Sequence, residues 1–441
     1  MKTFLLCLAL AGGAAARGDD ILHLKVEPEQ TRLLAGADRE IVVKIDLTSP
    51  DAKKTRRNPL NIAVVLDRSG SMAGAKIEKA RQAAALVVDQ MTSRDTFSLI
   101  AFDTQVEVIV PAQRVDDKEA IKSQIERIRP RGSTAIYAAV DRGASELQKH
   151  LSGDRINRVL LLSDGLANVG PHTPRELRRL GETLAQRGVS VTTIGLGDDY
   201  NEELMSGLAE ASDANYYYVR DTEKLPEIFA KELGSLLAVT AREIRIEITC
   251  PEGVEPIGLI GRPEKFDARR GIVHLDSLSA GQNRSLLLRC RVAGTSRSGE
   301  TEVARVNLSY RNELRDGAHG EMRDSARVTF TGNEALAKAS INSKITIERE
   351  LMWNAVRKDE AIAQADAGNY EAAAQKLSAQ AASLSISCAA APVESQPRLR
   401  AEVENLRQQS ADLQQGRYGA GSRKDLQSQS WNYRNSKSGV Q

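Results

Sequence analysis

The sequence predicts an α/β unit with a doubly wound, mostly parallel sheet, inserted in a β-sandwich and followed by an α-helical region. Three observations carry that expectation. Unbroken apolar runs such as Ile62 to Leu66 and Val159 to Leu162 alternate with helical segments between residues 59 and 238, the pattern of strands covered by helices on both faces. Alternating apolar and polar residues flank that unit on either side, the period of strands with one face on a core. Beyond Asn333 the apolar spacing turns helical.

The elements follow in order. The leader "MKTFLLCLALAGGAAARGDD" has one basic residue, an apolar core from Phe4 to Ala14 and small residues up to Ala16. It reads as a signal peptide, residues 1–16, whose removal would deliver a secreted, periplasmic or extracellular protein. Cys7 lacks the preceding motif of a lipid attachment site. No later stretch reaches about 18 apolar residues, so no integral membrane span is expected.

Residues 17–58 hold two alternating strands, around Leu22 to Val26 and Ile41 to Leu47, which cannot stand alone in water. The sheet they need lies at 239–331, where alternation recurs at Ile244 to Cys250, Val273 to Leu275, Leu286 to Val292, Ala304 to Tyr310 and Ala326 to Phe330. The unit at 59–238 is therefore read as an insert in a sandwich built from both flanks.

Within the insert, a helix after Met72 aligns Ile77, Ala80, Ala84 and Val88. "DTFSLIAFDT" is the next strand, "QVEVIV" an antiparallel edge, and Asp117 to Ile128 a helix; another helix follows Thr134. Thr173, Pro174 and Glu176 spell a capping box that starts the helix after Asp164. "VSVTTIGLG" is a buried strand, "NEELMSGLAEA" a helix, "NYYYV" an edge strand, and "EKLPEIFAKELGSLLA" the helix that returns to the sandwich.

Residues 332–416 are read as helical. "DEAIAQADAGNYEAAAQKL" resembles one tetratricopeptide-like helix pair turning at Gly368 and Tyr370, which needs a further helix to bury its face. Leu399, Val403, Leu406 and Leu413 form a heptad-like seam, too short for a coiled coil and read as helix packing. Residues 417–441 are read as a polar, flexible tail, with docking of Trp431 as the alternative.

The 441 residues suggest two or three domains. With 61 Lys and Arg against 59 Asp and Glu, the net charge of +2 gives no reason to expect nucleic acid. Cys250 and Cys290 lie on the inward faces of alternating strands, where a disulfide or two buried thiols would both be natural. Cys388 is then the odd cysteine, read as a buried or free thiol.

The chemistry concentrates at "NIAVVLDRSGSM". A buried run ends in Asp67, Ser69 and Ser71, a cluster of hard oxygen donors that suits magnesium, manganese or calcium over zinc or copper. Alone, the Asp-x-Ser-x-Ser spacing is a weak signal. It gains weight from Thr134 after a Gly-Ser turn in "RGSTAIYAA", and from Asp164 at the end of a second buried run in "NRVLLLSDG". In a doubly wound sheet, ligands sit beyond the carboxyl ends of the strands where strand order reverses. If the strands before Asp67 and Asp164 are neighbours there, two carboxylates and three hydroxyls face one point.

On these residues, the segment from about Pro59 to Ala238 resembles a von Willebrand factor type A domain, and Asp67, Ser69, Ser71, Thr134 and Asp164 match the five positions of its metal-ion-dependent adhesion site. The resemblance implies that Ser69, Ser71 and Thr134 ligate a divalent cation directly, Mg2+ first and Mn2+ or Ca2+ as alternatives. Asp67 and Asp164 would act directly or through water, with one position left for an acidic residue of a protein partner. The order of leader, split β flank, type A unit with "IGLGDDYNEELM", sandwich and helical region is similar to a group of bacterial secreted proteins, a looser likeness that implies no settled role.

Other chemistry is missing from the sequence. His23, His150, His172, His274 and His319 are scattered without zinc spacing, and there is no Cys-x-x-Cys or P-loop. Ser163 lacks a Gly-x-Ser-x-Gly elbow. Asp103, which ends a strand near the crevice, is read as a carboxylate that supports the site or closes a turn in preference to a ligand, and Asp198 with Asp199 as turn caps. The function expected is therefore a non-enzymatic, metal-dependent protein-binding module for adhesion or assembly. Its alternatives are a structural surface protein with a stabilising metal site, or a subunit of a metal-dependent enzyme complex; the oligomeric state stays open.

Overall fold

The structure, a computed structural model, describes residues 21–51, 57–294 and 299–436. The expected leader, Cys7 included, lies outside them. The chain opens with β1 (His23–Pro28), β2 (Arg32–Leu34) and β3 (Arg39–Thr48). In β3, Ile41, Val43, Ile45 and Leu47 alternate inward and are buried, as the period of two requires.

The chain then enters the α/β unit. In order come β4 (Leu60–Asp67), α1 (Ala75–Gln90), β5 (Thr96–Phe102), β6 (Val106–Arg114), α2 (Lys118–Glu126), α3 (Ile136–Gln148), β7 (Ile156–Ser163), α4 (Pro174–Gln186), β8 (Ser190–Leu196), α5 (Glu202–Ala211), β9 (Tyr216–Val219) and α6 (Leu225–Leu237). The strand order is β6-β5-β4-β7-β8-β9, with β6 alone antiparallel. Every residue of β4 is buried because both sheet faces are covered. Ile62, Val64 and Leu66 pack with α1, α2 and α6, while Ala63 and Val65 pack with α3, α4 and α5. Strand order reverses between β4 and β7, which places the ends of these two central strands side by side.

From α6 the chain returns through β10 (Val239–Thr249), β11 (Val254–Leu259), β12 (Phe266–Asp267), β13 (Arg270–Ser279), β14 (Asn283–Val292), β15 (Glu300–Asn312) and β16 (Ala318–Thr331). One sheet is β1-β3-β14-β11 and the other β12-β13-β10-β15-β16-β2. The register Ile45↔Leu286 and Val43↔Leu288 sets strands from before and after the insert in one ladder. The two crossings between sandwich and insert lie together, since Ser49 Oγ and Thr240 Oγ1 are 2.7 Å apart in a buried hydrogen bond. Cys250 and Cys290 share the sandwich core as free thiols. Burial pushes the Cys250 thiol up to about 11 and the Cys290 thiol higher still, so both remain protonated there.

The last region comprises α7 (Glu334–Ala339), α8 (Ser343–Asp366), α9 (Tyr370–Ala389), α10 (Gln396–Gln414) and α11 (Ala420–Arg434). Gly368, at φ 81°, makes the turn between α8 and α9. Leu399, Val403, Leu406 and Leu413 are buried against α8 and α9 in a single cluster.

One expectation is overturned here. The segment from 417, read as a polar flexible tail, folds as α11 up to its last described turn. Trp431 is 2 % exposed and packs edge-on against Tyr216, ring centroids 5.8 Å apart, in the core of the α/β unit. The polar side chains find fixed partners on other elements. Arg423 pairs with Glu202, with Glu203 at 2.7 Å and with Asp366 at 2.6 Å, while Lys424 Nζ lies 2.9 Å from Glu202. Low hydrophobicity thus reflects a helix wedged between two units that carry complementary charge.

Candidate metal centre

The site is built at the ends of β4 and β7. Asp67, the last residue of β4, is fully buried. Its Oδ1 accepts the Ser69 backbone N–H at 2.7 Å, and its Oδ2 accepts the Ser163 hydroxyl from the end of β7. Such an aspartate turn bends the chain so that Ser69 and Ser71 follow on one side. A single 3-10 turn, Gly70–Met72, then leads through Gly74 (φ 77°) into α1. Buried Met72 anchors that turn while Ser71 stays at the exposed rim.

The Thr134 loop is tied to this turn by backbone bonds. Arg131 N donates to Arg68 O at 2.7 Å, and Gly70 N to Gly132 O at 3.1 Å. Thr134 N donates to Asn168 Oδ1 at 2.9 Å, while Asn168 N donates back to Thr134 O at 3.1 Å. These bonds bring all five sequence-predicted residues together. Ser69 Oγ and Ser71 Oγ are 3.1 Å apart, and Ser71 Oγ donates to Asp164 Oδ1 at 2.7 Å. The three hydroxyls surround the face of Gly165. A Cβ placed there would lie 3.0 Å from Thr134 Oγ1, 3.7 Å from Ser71 Oγ and 3.8 Å from Ser69 Oγ.

The donor set fits a hard divalent cation. It is all oxygen, with two fully buried carboxylates and three hydroxyls. Burial, opposed by the Ser163 and Ser69 bonds and reinforced by the charge of Asp164, pushes the Asp67 carboxyl up to about 6. A carboxylate so placed, held by two uncharged donors, gains from a neighbouring positive charge. Among the described residues no group of three or more His, Cys, Asp or Glu side chains is placed to hold a metal ion. A cation site here would draw on the hydroxyls beside the two carboxylates.

Asp103 is not part of the cluster. It bonds Arg68 Nε at 2.7 Å and Arg131 Nε at 2.9 Å, and closes a turn by accepting Gln105 N at 2.8 Å. Burial raises its carboxyl, but the bonds from Arg131, the Gln105 backbone and Arg68 outweigh it and hold the group below its usual range.

Sequence reasoning missed three residues. Ser163 orients Asp67 instead of acting as a nucleophile, and Asn168 fixes Thr134. Lys76 turns back from α1 to place Nζ 2.5 Å from Asp164 Oδ2. Its one sequence signal is a cation in the first turn of a helix, where the dipole disfavours it.

Gly165→Ala should narrow the crevice. The added methyl must displace the Thr134 hydroxyl, so cation affinity falls by about tenfold while the cation-free melting temperature moves by no more than a few degrees, about what 1 kcal/mol produces in a unit of this size. Melting curves with and without Mn2+ test this.

Residues 61–231 match the family described as the von Willebrand factor type A domain. The chain is 30% identical over 245 residues to an uncharacterised protein of Synechocystis, sll0103, covering 53% of this chain and 57% of that one. It spans about half the length of the curated relatives first matched, 57% and 43%. Among solved structures, a von Willebrand factor type A protein from Catenulispora acidiphila superposes with a TM-score of 0.72 at 17% identity, over 93% of this chain and 96% of that one. The ArnB paralog VWA2 from Sulfolobus acidocaldarius superposes with a TM-score of 0.60 at 16% identity, over 94% and 98%. At these identities the two structures speak for the fold alone.

Proposed function

Starting from a von Willebrand factor type A domain at residues 61–231, we propose that this protein is a metal-dependent protein-binding module that works outside the cytoplasm. The observation that carries the reading is the gathering of the Ser69, Ser71 and Thr134 hydroxyls beside Gly165, with the buried Asp67 and Asp164 bonded to the Ser69–Ser71 turn and Ser71 exposed at its edge.

Ser69, Ser71 and Thr134 would hold the cation, Mg2+ first with Mn2+ or Ca2+ as alternatives, and Asp67 and Asp164 would balance its charge directly or through water. When bound, the cation supplies a Lewis-acidic position for an incoming carboxylate. The chain's own residues do the rest. Asp67 and Ser163 fix the Ser69–Ser71 turn, Asn168 fixes Thr134, and the exposed rim at Ser71 admits a partner's acidic side chain. We read the role as binding: Asp67 is held by the Ser69 N–H and the Ser163 hydroxyl, and Asp164 by Ser71 and Lys76, which suits both carboxylates to positioning and charge balance. Export through the leader would put this surface where extracytoplasmic partners meet it. No described helix is long and apolar enough to cross a membrane.

Pull-down from the source's own envelope and medium, with Mg2+ or with chelator, tests the reading. Capture should require the cation and fall at least about tenfold in Ser71→Ala, which removes a ligand and the hydrogen bond to Asp164. Capture indifferent to both chelator and Ser71→Ala would overturn it.

A further inference from the structure

We propose that Lys76 is a tethered cation that competes with the divalent ion for Asp164, so that the ion is held firmly only once a partner carboxylate joins it. The proposal rests on the metal-site reading and deepens it. Lys76 stands in the first turn of α1, where the helix dipole makes an ammonium unfavourable. What holds it there is Asp164, fully buried, with Oδ2 2.5 Å from Nζ; the lysine side chain is itself 26% exposed. The other oxygen of Asp164 accepts the Ser71 hydroxyl at 2.7 Å. The ammonium and a candidate ligand thus share one carboxylate.

The charge count gives the consequence. Asp67 and Asp164 contribute −2 to the crevice, and Lys76 returns +1, leaving −1. Arg68 is engaged by Asp103 and Glu107. A divalent cation entering with Lys76 in place meets −1 instead of −2 and brings the sum to +1, so it is held less firmly and the surplus draws an anion. A lysine can serve as such an occupant because its charge is compact and its four-carbon stem flexible, and this one reaches the carboxylate from a half-open position. Nζ lies 3.8 Å from where a Cβ on Gly197 would stand, so the end of β8 leaves the ammonium room.

Calorimetric titration of the full chain with Mn2+ alone tests this, using wild type, Lys76→Gln, Lys76→Arg and Asp67→Asn. Lys76→Gln should bind Mn2+ about tenfold tighter or more, because one repelling charge has gone. Its cation-free melting temperature should fall, since Asp164 is then buried without a counter-charge, and Mn2+ should restore it. Lys76→Arg keeps the charge and should stay near wild type. Lys76→Met, which keeps the apolar stem, serves if the glutamine variant does not fold.

Mn2+ binding by Lys76→Gln and Lys76→Met that is no tighter than wild type, while Asp67→Asn abolishes it, would overturn the role of Lys76 and leave the metal site standing. Absence of Mn2+ binding in wild type and in every variant would overturn the metal site itself, and Lys76's role with it.

Discussion

Trp431→Ala should destabilise the protein by about 3–5 kcal/mol, the range for removing a fully buried aromatic side chain. The indole fills the core between β9 and α5, edge-on to Tyr216, and α11 carries no other side chain of that size into the α/β unit. Its loss would leave a cavity that neighbouring polar contacts cannot close. Ser430 Oγ bonds Ala355 O at 2.9 Å on the helical side, and Arg423 and Lys424 hold Glu202 on the other. The variant should therefore also loosen the joint between the α/β unit and the helical region. Urea unfolding gives the first effect and proteolysis around residue 417 the second. A loss under about 1 kcal/mol, typical of surface substitutions, would mean that α11 is not docked in solution.

Asp67→Asn should abolish the response to divalent cations, lowering affinity by at least about a hundredfold, an effect of some 2.7 kcal/mol. The amide keeps an oxygen for the Ser69 N–H but removes the charge. Burial already disfavours that charge in the cation-free protein, so the cation-free melting temperature should hold or rise. The variant thus separates function from folding: stability is kept and the cation effect is lost. A large loss of cation-free stability, with an intact cation response, would make Asp67 a purely structural residue.

The parts legible in the sequence are those set by periodic burial. Ile62 to Leu66 and Val159 to Leu162 are apolar without interruption because helices cover both faces, and that pattern survives in one dimension. Ile41 to Leu47 and Leu286 to Val292 alternate because one face lines the sandwich core while the other is mostly polar, with Val42 and Leu287 covered by α8, so the split sandwich was readable across the long insert. The gathering of Asp67, Ser69, Ser71, Thr134 and Asp164 was readable because each sits at a strand end or a Gly-Ser turn, where an oxygen-rich stretch interrupts a buried run.

Contacts between polar groups far apart in sequence leave no such trace. Lys76 meets Asp164 across 88 positions, and Ser163 meets Asp67 across 96. Nothing in a helix-start lysine or a strand-end serine names its partner. The α11 segment failed for a related reason. With only Trp431 and Leu426 as fully buried apolar anchors and charged residues matched to Glu202, Glu203 and Asp366, its stability comes from neighbours that composition does not record.

The first measurement is thermal unfolding of the wild-type chain, stripped with chelator and then supplied with Mg2+, Mn2+ or Ca2+, beside Asp67→Asn. At a hundredfold excess over Kd, a site on the folded state alone adds about 2.7 kcal/mol. A rise in melting temperature for wild type, reversed by chelator and missing from Asp67→Asn, is the predicted result. Identical melting of wild type with and without every cation would contradict it, and would make the cluster at Asp67 and Asp164 a capped turn instead of a metal centre.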